Sequence, residues 1–314
     1  MKIACDNIDR LVNVAIRPKG MPRSQMSDLY DLVKGENPIS YDVAKAVLDQ
    51  PGAKVGIFTG AAVPGHLPKG ENDGPLGSIV LGRALQKLGY DVNIYTELEN
   101  MEGTVAEAKL IGCEVPIIEL ERGPGAQHSR LSKELDIAFA IEKAGVNDFG
   151  VQHSVNGNSR KGTRAVIDDL IDTMTNSGKL TVGLGDGGNE IGFGKVFEKA
   201  SDILPYGREC QCGCGGGIVT VTATTYLYPI SVSNWGAYAL TSALAIGAER
   251  PDIILEPEEE GEMLRLAIDL DLRDGGTGTA VFAVDGISGE ASMGFVELLK
   301  EIVIVALTPY ERDF

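Results

Sequence analysis

A glycine-rich stretch at residues 181–195 holds side chains that could do chemistry. It reads Thr-Val-Gly-Leu-Gly-Asp-Gly-Gly-Asn-Glu-Ile-Gly-Phe-Gly-Lys and begins in an apolar run that predicts a strand. Glycine allows tight turns at a cost in backbone entropy. Its concentration around Asp186, Asn189 and Glu190 therefore favours a loop that brings amides and carboxylates close to a small ligand. A plain strand-to-helix turn is the alternative interpretation.

Asp186 and Glu190 could exchange protons with a substrate. Carboxylates placed together push their pKa values apart, which yields one proton donor and one ionised partner. With Asp285 the same two residues could instead bind Mg²⁺, a cation that prefers oxygen ligands. We therefore expect no required cofactor, and we keep Mg²⁺ bound by Asp186, Glu190 and Asp285 as the alternative.

Other polar groups fall where predicted strands end. Thr59 and Gly60 end one strand, Glu142 ends a second, and Asp285 follows another. Ligands of parallel α/β sheets bind beyond the carboxyl ends of the strands, so groups that are distant in the chain can meet in one pocket. This convergence is the main argument for an active site.

Two further segments have a structural and a functional interpretation. Glu71 and Asp73 lie in a Gly/Pro-rich loop before a predicted helix, where they could bind substrate or metal, or where Asp73 could cap the helix. Ser233 and Asn234 could cap the helix that follows them, or place free amides against a substrate carboxylate. Lys195 could supply a cation for a carboxylate or be a solvated helix residue.

The cysteines and histidines show no recognisable metal motif. Cys210, Cys212 and Cys214 alternate, which predicts that they face one side of a strand, and zinc would need a fourth ligand. Structural or incidental cysteines are therefore preferred over metal binding. His153 lies in a polar loop, and we expect it at the surface.

Alternating elements predict the fold. An apolar strand at 54–60, a helix at 75–88 and a strand at 91–95 form a parallel βαβ unit, and the alternation continues to about residue 184. We predict a doubly wound, mainly parallel α/β sheet with helices on both faces and an N-terminal helical segment. Residues 1–50 would form a helical cap, and 51–314 a catalytic α/β domain.

The last third of the chain departs from this alternation. Residues 218–232 are β-branched and aromatic, which predicts strand. Residues 256–261 predict a strongly acidic turn, and 280–284 predict a last core strand that leads to Asp285.

Charge narrows the range of partners. The 314 residues include 45 acidic and 28 basic side chains, which gives a net charge of −17. A chain this acidic would repel nucleic acid. A local cluster of arginines or amides can still bind a small anion. No apolar run approaches a membrane span, and the charged N-terminus lacks a signal-peptide core. We expect a cytoplasmic protein without membrane or nucleic-acid partners that could form a homo-oligomer.

The glycine-rich stretch also argues against dinucleotide binding, because acidic groups occupy the positions where a pyrophosphate would lie.

Five segments resemble the D-glutamate cyclase-like C-terminal domain family. They are, in the family's order, Gly-Ile-Phe-Thr-Gly at 56–60, Glu-Asn-Asp-Gly-Pro-Leu-Gly at 71–77, Ala-Ile-Glu-Lys-Ala-Gly at 140–145, Gly-Leu-Gly-Asp-Gly-Gly-Asn-Glu-Ile-Gly at 183–192 and Val-Ser-Asn-Trp-Gly-Ala-Tyr-Ala-Leu at 232–240. The last two are specific. The family often has Thr where this chain has Asn72.

The resemblance implies a lyase of amino-acid metabolism that takes a small acidic amino acid, cyclising D-glutamate to 5-oxo-D-proline with loss of water. The catalytic residues would be Asp73, Asp186 and Glu190. The substrate-binding residues would be Thr59, Gly60, Glu71, Gly74, Glu142, Gly187, Gly188, Asn189, Ser233, Asn234 and Asp285. The alternatives are a Mg²⁺-dependent hydrolase and a non-catalytic protein that binds a small amino acid or a metal.

Overall fold

A six-stranded sheet forms the centre of the computed structural model, which describes residues 1–309 and Arg312. Its strands are β1 (Lys54–Phe58), β2 (Asp91–Thr96), β3 (Ile117–Glu119), β4 (Ile137–Ile141), β5 (Leu180–Gly185) and β6 (Tyr226–Pro229). They lie in the order β3-β2-β1-β4-β5-β6, and every neighbouring pair is parallel. A separate antiparallel hairpin consists of β7 (Ala283–Val284) and β8 (Ile287–Ser288).

Eleven α-helices surround this sheet within the described residues. They are α1 (Lys2–Val12), α2 (Ser24–Val33), α3 (Ile39–Leu48), α4 (Pro75–Lys87), α5 (Leu98–Leu110), α6 (Ala126–Glu134), α7 (Asp168–Asn176), α8 (Phe197–Ile203), α9 (Ser233–Ala248), α10 (Pro257–Asp269) and α11 (Gly289–Leu307). Among the helices of residues 1–309, none combines the length and the apolar character that crossing a bilayer requires.

Alternation along β4 divides the apolar core between two faces. Ile137, Phe139 and Ile141 belong to the larger cluster, to which α4 and α9 contribute. Ala138 and Ala140 join a second cluster that includes residues of α6 and α7. Successive side chains of a strand point to opposite faces, so a strand covered on both sides is apolar at every position. The predicted doubly wound sheet with helices on both faces is confirmed.

The strand order reverses between β1 and β4. The chain runs outward from β1 to β2 and β3, then returns to β4 and runs outward the other way to β5 and β6. In such sheets, ligands bind in the crevice outside the carboxyl ends of the strands at this reversal. Because β1 ends before Thr59 and β4 ends before Glu142, both residues lie at this point.

Three helices precede the sheet where the sequence predicted two apolar runs. α1 and α3 correspond to those runs, and α2 lies between them. The buried Asp9 of α1 accepts hydrogen bonds from the hydroxyls of Tyr30 in α2 (2.5 Å) and Tyr228 in β6 (2.7 Å). These bonds tie the N-terminal segment to the sheet. The division into a cap at 1–50 and a domain at 51–314 stays a prediction.

The extended strand predicted at 218–232 is wrong, since only Tyr226–Pro229 is strand. The residues before it pack across loops instead: the Val221 amide donates to the Val146 carbonyl (2.9 Å), and the Thr222 carbonyl accepts from the Gly192 amide (2.9 Å). β-Branched residues suit such semi-extended packing as well as they suit a sheet, so their composition alone misled the prediction.

Two other local predictions are also wrong. The acidic stretch at 256–261 is not a turn but the start of α10, where Glu256 and Glu259 form a capping box. Acidic side chains stabilise a helix N-terminus, which explains their concentration there. Residues 280–284 contribute only β7, which pairs with β8 outside the main sheet.

Candidate active site

A cavity of about 110 Å³ lies beyond the carboxyl ends of β4 and β5. Pockets for drug-sized ligands typically enclose roughly 300–1,000 Å³, so this cavity suits a small metabolite. Its charged and polar lining consists of Arg17, Glu71, Glu142, Ser154, Asn156, Arg160, Arg164, Asp186, Asn189 and Asp285. The structure therefore brings together five of the predicted site residues: Glu71, Glu142, Asp186, Asn189 and Asp285.

Glu142 and Asp285 reach the cavity from backbone conformations that are rare for residues with a side chain. Glu142 directly follows β4 and has a φ of 50°. Asp285 has a φ of 51°, and Gly286 after it a φ of 75°. Asp-Gly with two positive φ values is the preferred sequence of a tight hairpin turn, so Asp285 projects from the β7–β8 turn rather than from a core strand. Such conformations concentrate at functional sites.

Arg17 is a cation buried between two of these carboxylates, Asp186 and Asp285, with 3% of its side chain exposed. Its Nη1 lies 2.8 Å from Asp186 Oδ1 and also donates to the Asp186 carbonyl at 2.8 Å. Its Nη2 donates to Asp285 Oδ2 at 2.6 Å. One guanidinium thus holds the acidic groups of the glycine-rich loop and of the hairpin turn on the same side of the cavity.

Burial raises the pKa of every carboxyl group that lines the cavity. It raises the pKa of Asp186 to about 6, against the opposing effect of Arg17. Burial and the neighbouring Glu190 raise the pKa of Glu142 to about 8, and burial raises that of Asp285 to about 8. The pKa of Glu71 also lies well above its ordinary value, because of burial and then of Glu142. Near neutral pH the cavity therefore offers both protonated and ionised carboxyl groups.

Asp73 and Asn234 cap each other's helices. The Asp73 carboxylate, just before α4, accepts from the amides of Ser233 (3.1 Å) and Asn234 (2.7 Å) at the start of α9. The Asn234 Oδ1 of α9 accepts from the amides of Gly74 (2.8 Å) and Gly77 (2.7 Å) at the start of α4. The expectation that Asp73 caps its own following helix is thus corrected: its carboxylate caps α9, and only one further bond, from the Gly74 amide, is local. These exchanged caps fix both helix N-termini to each other, and Asp73 offers an oxygen within 4.8 Å of the cavity carboxylates Glu142 and Asp186.

Two smaller groups complete this arrangement. The Ser233 hydroxyl donates to Glu142 Oε2 at 2.7 Å, which orients that carboxyl group. Gly74 has a φ of 93°, and a Cβ there would lie 2.7 Å from Glu142 Cβ and from Thr59 Oγ1. Only glycine therefore allows α4 to start this close to β1 and β4.

Within the glycine-rich loop, Asp186 and Glu190 have different surroundings. Glu190 folds back, and its carboxylate accepts from the amides of Gly187 (3.1 and 3.3 Å) and Gly188 (2.8 Å). Burial and Asp186 raise its pKa to about 7. Glu190, Gly187 and Gly188 are absent from the cavity lining, whereas Asn189 lines it and donates from Nδ2 to the His153 carbonyl at 2.9 Å.

Thr59, Gly60 and Lys195 also lie outside the cavity lining. Thr59 is fully buried beside Gly74. Gly60 has a φ of 109° and packs where a Cβ would collide with Glu97. The exposed Lys195 donates to the Thr225 carbonyl at 2.6 Å, in agreement with the solvated alternative.

Three arginines of the cavity were not found from the sequence. Arg17 follows α1 in a segment without periodicity, and nothing in its neighbourhood signals a site. Arg160 and Arg164 lie in the polar loop before α7, and a run of three basic residues within 160–164 of so acidic a chain was a usable signal. Arg164 Nη2 lies 3.7 Å from Glu71 Oε1.

A group of three carboxylates that could hold a metal ion differs from the predicted metal set. Asp73, Glu142 and Asp186 each offer a carboxylate oxygen within 4.8 Å of the others. The other two predicted ligands, Glu190 and Asp285, do not belong to this group. An oxygen-only set of this kind fits Mg²⁺.

A second group of potential metal ligands lies outside the cavity lining and corrects two expectations. His153 is fully buried rather than at the surface, and its ring contacts Cys212. The segment that holds Cys210, Cys212 and Cys214 is a loop, not a strand. The alternating spacing therefore does not place the three sulfurs along one side of a strand, because turns within the loop bring them together.

Comparisons with known proteins identify a family and a curated relative. The family model described as "D-glutamate cyclase-like, C-terminal" matches residues 14–300. The human protein "D-glutamate cyclase, mitochondrial" is 27% identical in a match that covers 71% of this chain and 41% of that protein. The chain thus spans about two fifths of the length of this curated relative.

One solved structure has a distant overall similarity. The crystal structure of an exopolyphosphatase-related protein from Bacteroides fragilis matches with a TM-score of 0.38 and 13% identity, over 87% of this chain and 61% of that one. A similarity at this level carries no argument about the site. The family match extends over nearly all of the sheet and its helices, and includes the loops that supply the cavity's carboxylates. The chain therefore belongs to the D-glutamate cyclase-like C-terminal family.

Proposed function

We propose that this chain cyclises D-glutamate to 5-oxo-D-proline with loss of water. The observation that carries the proposal is a small cavity in which buried carboxyl groups of different pKa, Glu142 and Asp186, meet arginine side chains. Family membership and the activity in the human relative's name support the same substrate.

The proton balance of this reaction suits such a site. The substrate ammonium must lose two protons as its nitrogen bonds to the γ-carboxyl carbon. The oxygen that leaves this carbon must gain two protons to depart as water. No proton is consumed overall, so carboxyl groups that accept and return protons are sufficient for the transfer. Closure of a five-membered ring within one molecule also gains from proximity.

Asp186 and Glu142 are the groups we assign to these transfers. With a pKa of about 6, Asp186 is mostly ionised near neutral pH and can accept a proton from the amine. Glu142, with a pKa of about 8, is mostly protonated and can donate to the leaving oxygen. The Ser233 hydroxyl positions the Glu142 carboxyl group. Glu190, predicted as a proton carrier, is better placed to rigidify the loop that carries Asp186.

The basic side of the cavity would bind the substrate's carboxylates. Arg160 and Arg164 line it, and their buried Nε atoms have no hydrogen-bond partner within the described part of the chain. Glu71, on the same wall, would accept from the substrate ammonium. Asn234 is already committed to the caps of α4, so we now assign it a structural role.

A Mg²⁺-dependent hydrolase is the second candidate, and one observation favours it. Asp73, Glu142 and Asp186 would hold the ion through the oxygens that lie within 4.8 Å of one another. The ion would supply Lewis-acid polarisation of a bound carboxyl or phosphoryl oxygen.

The deciding experiment incubates purified protein with D-glutamate or L-glutamate, with and without EDTA, and measures the lactam by chromatography. We expect 5-oxoproline from D-glutamate. No lactam from either isomer would remove the cyclase proposal, and activity lost with EDTA and restored by Mg²⁺ would add the metal to it.

The first prediction concerns Asp186→Asn, which removes the proposed base at nearly constant volume. General base catalysis typically contributes about 10²–10⁴-fold, so turnover of D-glutamate should fall by about a hundredfold or more. The matched control is Asp269→Asn, a change at an exposed carboxylate of α10. Equal turnover in both variants would contradict the assignment of Asp186.

A further inference from the structure

Four side chains from two distant segments converge outside the cavity lining. His153 Nε2 lies 3.2 Å from Cys212 Sγ and 3.7 Å from Cys214 Sγ. Cys210 Sγ lies 3.2 Å from Cys212 Sγ and 3.4 Å from Cys214 Sγ. All four potential ligand atoms fall within 4.8 Å of one another. The cysteines are not disulfide-bonded, since a disulfide needs an S–S distance near 2.05 Å.

We propose that Cys210, Cys212, Cys214 and His153 bind one Zn²⁺ ion in a closed structural site. Three sulfurs and one imidazole nitrogen are an established zinc donor set with four ligands and no open position. His153 is the fourth ligand that the cysteine spacing alone did not supply. Binding displaces the thiol protons, because zinc is held by thiolates.

The dimensions of the cluster fit the ion. Zn–S bonds of about 2.3 Å and Zn–N bonds of about 2.0–2.1 Å give tetrahedral edges of about 3.8 Å between sulfurs and about 3.6 Å between sulfur and nitrogen. The four contacts of 3.2, 3.2, 3.4 and 3.7 Å lie within about 0.6 Å of these edges. Small shifts of exposed and half-buried cysteines are enough to close the site around the ion.

A supporting hydrogen bond is already present around the sulfurs. Asn147 Nδ2 donates to Cys214 Sγ at 3.4 Å and to the Gly217 carbonyl at 2.8 Å. Donors of this kind orient metal ligands and stabilise the charge on thiolate sulfur. Asn147 thereby links the cysteine loop to the segment that follows β4.

The site would fasten one wall of the active-site cavity. The His153 carbonyl accepts from Asn189, and Ser154 and Asn156 next to it line the cavity. The cysteine loop is joined to the same segment by Gln211, whose amide donates to the Gly157 carbonyl (2.9 Å) and whose side chain donates to the Asn156 carbonyl (3.0 Å). Zinc would thus hold a part of the wall, residues 153–157, that lies outside the helices and strands.

The test measures zinc in the full-length chain, purified under reducing conditions with zinc supplied and excess metal removed. We expect one Zn²⁺ per chain by mass spectrometry of the metal. Replacement by Co²⁺ should produce thiolate-to-metal charge-transfer absorption and the strong visible bands of a tetrahedral ion. A wild-type chain that retains no zinc, or in which two of the three cysteines form a disulfide, would overturn the proposal.

Matched variants separate a metal site from a general effect on folding. Cys214→Ser and His153→Ala should weaken zinc affinity by at least about tenfold, since even outer-shell changes cost that much. Cys113→Ser is the control, because it changes a buried cysteine that is far from the cluster in sequence, and it should keep the zinc. His153→Cys replaces the imidazole by another zinc ligand and should also keep the zinc. Zinc bound as tightly by Cys214→Ser as by Cys113→Ser would also overturn the proposal.

Discussion

The two groups of potential metal ligands differ in what holds them. Asp73, Glu142 and Asp186 are buried and are fixed by strand ends and by the exchanged caps of α4 and α9. The sulfurs of Cys210, Cys212 and Cys214 are exposed or half-buried in a loop. The carboxylate group is thus organised by the fold itself, with Arg17 as its internal cation, whereas the three cysteines lie in a loop outside the helices and strands.

This difference predicts that a bound ion would be structural at the cysteines and not at the carboxylates. Removal of a metal from the carboxylates would leave Arg17 and bound protons to balance their charge. Removal of zinc from the thiols would leave the loop held by a few hydrogen bonds. We therefore expect changes near Arg17 to affect the stability of the core, and changes at the cysteines to affect the cavity wall.

Among the variants, Arg17→Met should lower stability the most. An unchanged stability would contradict the difference drawn between the two ligand groups. The substitution leaves buried carboxylates without their cation, so the free energy of unfolding should fall by about 3–5 kcal/mol at neutral pH, as measured by urea denaturation. Zinc content should not change. Arg10→Met is the control, since that exposed arginine pairs with Asp6 at the surface and should cost less than about 1 kcal/mol. Similar losses in both variants would show that Arg17 is not the internal counter-ion.

The exchanged caps are the next test of the fold-organised region. Asn234→Ala leaves the buried Gly77 amide unpaired and the Gly74 amide with only its bond to Asp73, which should lower the free energy of unfolding by about 2 kcal/mol. Ser288→Ala removes the solvent-exposed N-cap of α11 and should cost about 0.5 kcal/mol in the same urea measurement. If Asn234→Ala costs no more than Ser288→Ala, the caps do not organise the site.

Per pH unit, the pH dependence of stability gives the smallest of the three expected effects, up to about 1.4 kcal/mol. Burial and Glu190 raise the pKa of Glu142 from 4.5 to about 8, so the folded chain keeps a proton that the unfolded chain loses. This contribution to stability is complete below pH about 4.5 and is lost as pH rises towards about 8. Glu142→Gln should flatten that decline by up to about 1.4 kcal/mol per pH unit, measured by urea denaturation without divalent cations.

Two outcomes check that prediction. Glu262→Gln, at an exposed position of α10, should leave the slope unchanged. A slope that stays the same in Glu142→Gln would mean that this carboxyl group is ionised in the fold. The zinc site should behave in the opposite direction, because protons compete with the ion for thiolates and binding strengthens as pH rises.

Much of the fold and part of the site could be predicted from local pattern. The apolar runs of β1, β2, β4 and β5 and the intervening helices are visible because parallel strands buried on both faces have few polar positions. Glu142 and Asp186 were found because each directly follows such a strand. The strand predicted at 218–232 failed because composition cannot distinguish a sheet partner from a semi-extended loop.

The doubly wound sheet, the family and most of the carboxylates at the edge of the sheet could be predicted from the chain, since they follow from periodicity and from motifs of adjacent residues. Which charges meet depends on the three-dimensional packing. Arg17 reaches Asp186 and Asp285 across 169 and 268 residues. Asp73 caps the helix that starts 160 residues later, and His153 joins Cys212 across 59 residues. Contacts between positions so far apart depend on how whole elements pack, and no local pattern encodes that.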